Sequence, residues 1–194
     1  MAYHFFAMVS RMKYIDRWAL MRNTRQENIT EHAHEVAVIA HALAVLRNRR
    51  FGGQADEARA ALLGLYHDLP ETLTGDLPTP VKYHSPELRS AYRAVETAAC
   101  ARLMNMLPED LRPAYEPFFF PQEADAQLWP LVRAADKISA LAKCMEEEKA
   151  GNREFARAKG ALLKAVHAMA LPEAECFLAE FLPGYALTLD ELES

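Results

Sequence analysis

The chain has little cysteine, and what it has is not arranged in pairs. Cys100, Cys144 and Cys176 stand far apart in 194 residues with no CxxC spacing, which argues against a disulfide framework or a zinc ribbon and for reduced, mostly buried thiols. β-Branched residues are scarce as well: Val and Ile together occur 12 times against 34 Ala. That bias, with no segment alternating like a strand, predicts an all-α fold. No apolar run reaches the roughly 20 residues that span a bilayer. The best stretch, residues 36–46, is interrupted by His41, and no basic segment precedes an apolar core at the start of the chain. The expectation is a soluble, cytoplasmic protein with no membrane partner. Basic charge is not in excess either. Lys and Arg number 22 against 27 acids, a net charge of -5, so no global field draws a nucleic-acid backbone, and polymeric nucleic acid is disfavoured as a partner. With no linker, repeat or low-complexity tract, residues 1–194 read as a single domain.

What is present is helical punctuation. Helices are expected at about 3–15, 31–48, 57–69, 86–107, 109–119, 123–150, 153–170 and 172–182. Gly52-Gly53 closes the second, Asp56 caps the third, and Gly151-Asn152 closes the long one. Ser85-Pro86-Glu87 opens a helix whose apolar stripe is Leu88, Tyr92, Val95, Ala99 and Leu103. Charge is uneven: Arg11, Lys13, Arg17, Arg22 and Arg25 face only Asp16 in residues 11–25, whereas residues 171–194 hold six acids and no Lys or Arg. A small anion is attracted to the first segment, although basic helix faces are usually just solvated.

Chemistry concentrates at His67-Asp68. These residues end a helix that runs Ala60-Ala61-Leu62-Leu63-Gly64-Leu65-Tyr66, so a carboxylate and an imidazole emerge from an apolar element where an unpaired charge is expensive. A cation beside them removes that expense. With His32 upstream and Asp136 downstream they make a mixed N/O donor set for a divalent metal that does hydrolytic chemistry. His32 follows Thr30, read as an N-cap; a lone histidine there is more often a capping or surface residue than a ligand, and His34 points to another side. Glu71, three residues after Asp68, lies over the same face if the helix continues, or on a loop rim if Pro70 turns it. In either place it can take a proton from water or give one to a leaving group. Asp136 is the weakest candidate: the helical wheel puts it nearly opposite the stripe of Leu131, Ala134, Ala135, Ile138, Leu141, Ala142 and Met145, beside Val132, Ser139 and Ala140. That position suits a surface acid, although the small residues on its flank admit another helix.

The order His32, His67-Asp68, Asp136 in an all-α chain resembles the HD-domain metal-dependent phosphohydrolases. The likeness narrows with Arg17-Trp18, with the run from Arg22 through Asn23, Thr24, Arg25, Gln26, Glu27, Asn28, Ile29, Thr30 and Glu31 to His32, with Phe51-Gly52-Gly53, and with Thr74-Gly75-Asp76-Leu77-Pro78-Thr79-Pro80-Val81-Lys82-Tyr83. Together these resemble the bacterial 5'-deoxynucleotidases of that superfamily over nearly the whole chain. The resemblance implies an HD-domain helical bundle, a homodimer, and removal of the 5'-phosphate from deoxyribonucleoside 5'-monophosphates with preference for deoxyribose. It implies His32, His67, Asp68 and Asp136 as ligands of a divalent ion such as Co or Mn, and Glu71 as catalytic acid or base. It implies Arg17 as the residue that orients phosphate, Trp18 as a wall of the sugar site, and Asp76, Leu77, Pro78 and Thr79 as a substrate-contacting segment, with His32, Glu71 and Asp136 also facing substrate. The family has a small residue and Ser where this chain has Leu69-Pro70, which leaves the pose of Glu71 to the structure. Bottom-up, Arg17 can make paired hydrogen bonds to phosphate, and the two prolines after Asp76 stiffen a turn; a surface Arg, a core Trp and a plain turn would read the same. The rivals are an HD hydrolase acting on nucleoside triphosphates or pyrophosphorylated nucleotides, and a non-catalytic nucleotide or metal sensor.

Overall fold

The computed structural model describes residues 2–82 and 84–193; Tyr83, the last residue of the Thr74 motif, lies outside them. Among the described residues there are helices and no strand. They are α1 (Phe5–Val9), α2 (Ile29–Arg50), α3 (Glu57–Tyr66), α4 (Glu71–Thr74), α5 (Thr79–Lys82), α6 (Pro86–Met104), α7 (Arg112–Phe119), α8 (Trp129–Lys149), α9 (Ala156–His167), α10 (Pro172–Glu180) and α11 (Leu189–Leu192). No helix among the described residues is long and apolar enough to cross a membrane.

α2 is the axis of the bundle, packed between α3 and α8, with α9 on the far side of α8 and α10 against α2. Its face of Val36, Ile39, Ala40, Leu43 and Ala44 meets Leu63 of α3 and Leu131, Ala134, Ala135, Ile138 and Leu141 of α8 in the main core. Burial of each such large aliphatic side chain contributes about 1.5–3 kcal/mol. A second core gathers Phe5, Met12, Ile29, Ala33, Leu69, Leu103, Met104 and Leu107 under the start of α2. α2 and α3 approach unusually closely, because a Cβ on Gly64 would stand 3.0 Å from the Cα of Ala37. Both helices therefore present the ends that carry His32 and His67 to one another.

Several boundaries differ from the sequence expectation for local reasons. α2 starts at Ile29, two residues early, because the cap is Asn28 and not Thr30: the Asn28 side chain accepts from the Thr30 and Glu31 amides, and Glu31 accepts in return from the Asn28 N–H. The N-terminal helix stops at Val9 and tightens into a 3-10 stretch, Ser10–Tyr14. The expected helices at 123–150 and 153–170 likewise each begin with a 3-10 turn, Glu123–Asp125 and Arg153–Phe155, and α3 ends at Tyr66. Asp56 and Ser85 cap as expected, accepting from Arg59 and Leu88. The α6 stripe is only half correct: Tyr92, Ala99 and Leu103 are buried, whereas Leu88 and Val95 are exposed. The three cysteines are free thiols, Cys100 and Cys144 buried and Cys176 half-buried, and burial pushes the first two up to about 11 and about 12.

Candidate active site

Three helices converge on the site. His32 comes from the first turns of α2, His67 and Asp68 from the turn that follows α3, and Asp136 from the middle of α8. His32 Nε2 lies 3.2 Å from Asp136 Oδ1 and 3.6 Å from Asp68 Oδ2, while His67 Nε2 lies 3.0 Å from Asp68 Oδ2. The two imidazole rings are 5.3 Å apart, centroid to centroid. Ligand atoms of His32, His67 and Asp68 can all stand within 4.8 Å of one another. Asp136 adjoins this trio through its contact with His32, so the structure brings together all four residues named from the sequence. His34, two positions on, is exposed and takes no part.

The donor set suits a divalent cation on two independent grounds. Both imidazole Nε2 atoms and Glu71 Oε2 are buried with no hydrogen-bond partner, a costly arrangement unless something else satisfies them. The Nδ1 side of each ring is occupied: His67 Nδ1 lies 2.7 Å from the Gly64 carbonyl, and His32 Nδ1 lies 3.0 Å from Ser139 Oγ. A carbonyl only accepts, so His67 Nδ1 carries a proton and Nε2 is the nitrogen turned towards the acids, where a cation would take the place of a second proton. The electrostatics agree. Burial pulls His67 down, but the Asp68 and Asp136 carboxylates outweigh it and hold it at about 9. Burial and the nearby Arg17 pull His32 below its ordinary value. Asp68 is kept well below the usual carboxylate range by His67, His32 and Arg17 in spite of burial, and Asp136 is lowered by His32. Two acids that draw a proton onto a buried histidine mark a place that rewards positive charge.

Glu71 is neither on a continued α3 nor on a loop rim. After Tyr66 the chain runs through hydrogen-bonded turns, with the Glu71 amide donating to the Asp68 carbonyl, and Pro70 opens the separate short helix α4 at Glu71. Proline suits that position, where its missing N–H has no partner to lose. The Glu71 side chain is buried at 8% exposure. Burial, then Asp68 and Asp76, push it up to about 10 against the opposing pull of Lys82 and Arg17. A cavity of about 350 Å³ opens on His67, Asp68 and Glu71, walled by Phe118, Phe119 and Trp129.

Arg17 and Trp18 reach the site through a segment that sequence reasoning did not resolve. Residues 15–17 pair with 27–29: the Arg17 amide donates to the Glu27 carbonyl at 2.9 Å and the Ile29 amide to Ile15 at 3.0 Å. Glu27, buried, accepts from Arg17 Nη1 at 2.7 Å and from Trp18 Nε1 at 2.9 Å through one carboxylate oxygen. Trp18 sits at φ +60°, a left-handed conformation that a bulky residue adopts only under constraint. Its ring meets Phe155 edge-on, and its amide favours the charged form of Asp76. Arg17, whose charge is further favoured by Glu27, Asp68, Asp136 and Asp76 against the cost of burial, thus faces the acid cluster. Leu77 and Pro78 are half-buried after Asp76, and Thr79 is exposed at the start of α5.

The segment is pinned from behind by α8. Glu147, 1% exposed, accepts from the Thr24 amide and hydroxyl, the Arg25 amide, Lys143 Nζ and Asn152 Nδ2, while Lys143 and Asn152 also donate to the Arg25 and Arg22 carbonyls. Burial alone would push Glu147 up, but Lys143, Asn152 and Thr24 hold it at about 2. Glu147→Ala is expected to cost about 3–5 kcal/mol at neutral pH, because it strands the buried ammonium of Lys143. A carboxylate held low stabilises above its ordinary value and loses that effect as pH falls through the folded one. The gap between wild type and variant should therefore narrow from pH 4.5 down towards 2, as urea unfolding at a series of pH values would measure.

Comparison with known proteins places this arrangement. Residues 4–185 match the family model described as "5'-deoxynucleotidase YfbR-like". A 5'-deoxynucleotidase from Vibrio cholerae is 49% identical over 189 residues, covering 97% of each chain, and one from Klebsiella pneumoniae strain 342 is 47% identical, covering 97% of this chain and 95% of its own. Among solved structures, an HD-domain phosphohydrolase from Listeria innocua superposes with a TM-score of 0.82 at 22% identity, over 98% of this chain and 92% of that one. A cyanophage S-2L HD phosphohydrolase, DatZ, solved with dA and one catalytic Zn2+, gives 0.65 at 18% identity over 91% and 95%. These two likenesses are of fold.

Proposed function

The chain belongs to the YfbR-like 5'-deoxynucleotidase family, and we propose accordingly that it hydrolyses deoxyribonucleoside 5'-monophosphates to deoxyribonucleosides and phosphate, with a divalent metal ion held by His32, His67, Asp68 and Asp136. The observation that carries the assignment is the convergence of two unpartnered imidazole nitrogens on an acid pair, next to a half-buried Arg17 and a buried Glu71. When bound, a divalent ion polarises a phosphoryl oxygen and lowers the pKa of water.

The chain's own residues supply the rest. Arg17 spends one N–H on Glu27 and keeps others in its planar fork for phosphate oxygens, where it offsets the charge that builds in an in-line displacement. Glu71 holds a proton in a water-poor corner and handles it between the attacking water and the ester oxygen. Trp18, fixed by Glu27 and Phe155, bounds the sugar; a 2'-hydroxyl left without a partner there costs about 1–3 kcal/mol, which discriminates against ribose. Asp76, Leu77, Pro78 and Thr79 form the segment that contacts the nucleotide, with the charged form of Asp76 favoured by Arg17 and the Trp18 amide. The same proposal treats residues 1–194 as one HD-type domain acting as a cytoplasmic homodimer.

The test is phosphate release from a panel of deoxyribo- and ribonucleoside monophosphates, with triphosphates alongside, by metal-stripped protein before and after addition of Co or Mn. Release confined to 5'-deoxymonophosphates and dependent on metal is expected. Activity on triphosphates would move the chain to another HD hydrolase, and silence throughout would favour a sensor.

A further inference from the structure

We propose that Glu35 and Ser139 are positioning residues for the metal centre, locking His32 as the tautomer protonated at Nδ1 and so governing how strongly its Nε2 holds a divalent cation. The inference rests on His32 being a ligand, as proposed above. It comes from counting protons along a buried chain. Ser139 Oγ stands 2.5 Å from Glu35 Oε2 and 3.0 Å from His32 Nδ1, and both His32 and Ser139 are fully buried. Ser139 has one hydroxyl proton and donates it to Glu35 Oε2; burial raises the Glu35 carboxyl, and this hydrogen bond opposes that by favouring the charged, accepting form. Ser139 therefore accepts from His32, and Nδ1 must carry the hydrogen. Nε2 is then the nitrogen left for a cation, and it is the one that faces Asp136 and Asp68.

The two histidines are held by different devices. His67 donates to a peptide carbonyl of its own helix, Gly64, an acceptor that no side-chain substitution removes. His32 is held by two side chains from two helices, α2 and α8, ending in a carboxylate. Glu35 also lines a separate cavity of about 630 Å³, with Glu27, Lys143 and Glu146 among its walls and none of the four ligands or Glu71. Its side chain can thus be changed without entering the substrate face.

The test is titration of Co2+ alone into metal-free protein against a chromophoric chelator, with the visible absorption of bound Co2+ as a second readout. Ser139→Ala is expected to weaken Co2+ binding about 10- to 100-fold, the usual effect of removing the partner of a liganding imidazole. Glu35→Ala should act in the same direction, because the released Ser139 proton can then be donated to Nδ1 and favours the wrong tautomer. Ser139→Thr, which keeps the hydroxyl, should restore affinity and spectrum. Wild-type Co2+ affinity in either alanine variant overturns the proposal, and if Ser139→Ala does not fold, Glu35→Ala decides it. His32→Ala separates the two readings: unchanged Co2+ binding there refutes the ligand assignment itself, whereas loss there with no effect of Ser139→Ala and Glu35→Ala refutes only the positioning role.

Discussion

Glu71→Ala will bind Co2+ and a deoxyribonucleoside monophosphate and yet turn over about 100 to 10,000 times more slowly, the range over which a positioned proton-transfer group acts. Glu71 shares no hydrogen bond with the side chains of His32, His67, Asp68 and Asp136, the four proposed ligands, and its Oε2 is buried without a partner, so its removal leaves their geometry in place. Its carboxyl is held up by burial and by Asp68 and Asp76, which equips it to carry a proton at neutral pH. Glu71→Gln keeps the shape and loses the exchangeable carboxyl proton, and should fall by a similar factor. The measurement is single-turnover phosphate release with nucleotide binding followed separately by equilibrium dialysis. Full activity in either variant would sink the assignment of Glu71, and loss of nucleotide binding in parallel with turnover would recast it as a binding residue.

The other large effect is expected at Asp68. One of its carboxylate oxygens lies within 3.6 Å of His32 Nε2 and within 3.0 Å of His67 Nε2, so it is the acid that both imidazoles share. Asp68→Ala should bring Co2+ binding and phosphate release down to the level of metal-stripped protein, and Asp68→Asn should do nearly the same because an amide oxygen lacks the charge that offsets the cation. Turnover that stays metal-dependent in Asp68→Ala, with Co2+ affinity near wild type, would remove Asp68 from the ligand set.

Much of this site was legible in the sequence because its polar groups interrupt apolar helices. His67-Asp68 stands at the end of an Ala- and Leu-rich stretch, where burial without a counterion is costly; His32 alone reads as a capping or surface residue and gained its place only from the order it makes with the other three. Asp136 was harder. A helical wheel ranks a residue against the apolar stripe of its own helix, and α8 has a second, polar face that is buried at Ser139, Lys143 and Glu147 and half-buried at Asp136. Asp136, Ser139, Lys143 and Glu147 recur at spacings of three, four and four, the same periodicity as a hydrophobic stripe, and that face packs on the start of α2 and on the loop before it. Searching charged and hydroxyl residues for helical period, in addition to apolar ones, would have found it. Glu27 lay in plain view within the Arg22 to His32 run, but its role depends on pairing residues 15–17 with residues 27–29, and two residues of bridge-like pairing leave no alternating pattern to read. The Asn28 cap was hidden by Thr30, an equally good capping residue two places on; the Glu at position 31 decides between them, because only Asn28 has an acid three residues later to complete the box. Pro70 marked a boundary correctly, yet a boundary does not reveal the element beyond it, and here a new helical turn begins at once.

The contact at Gly64 bears on how such a centre can drift over many generations. Most distances between helices are set by the side chains between them, and each exchange of a leucine for a valine lets the gap open or close a little. Where α3 crosses α2, a glycine meets the main chain of Ala37, so the spacer is peptide itself and has no alternative size. The gauge between the elements that bear His32 and His67 is in that sense inherited with the backbone. Lineages can vary the interior on either side of it and still hand down a centre of the same bite.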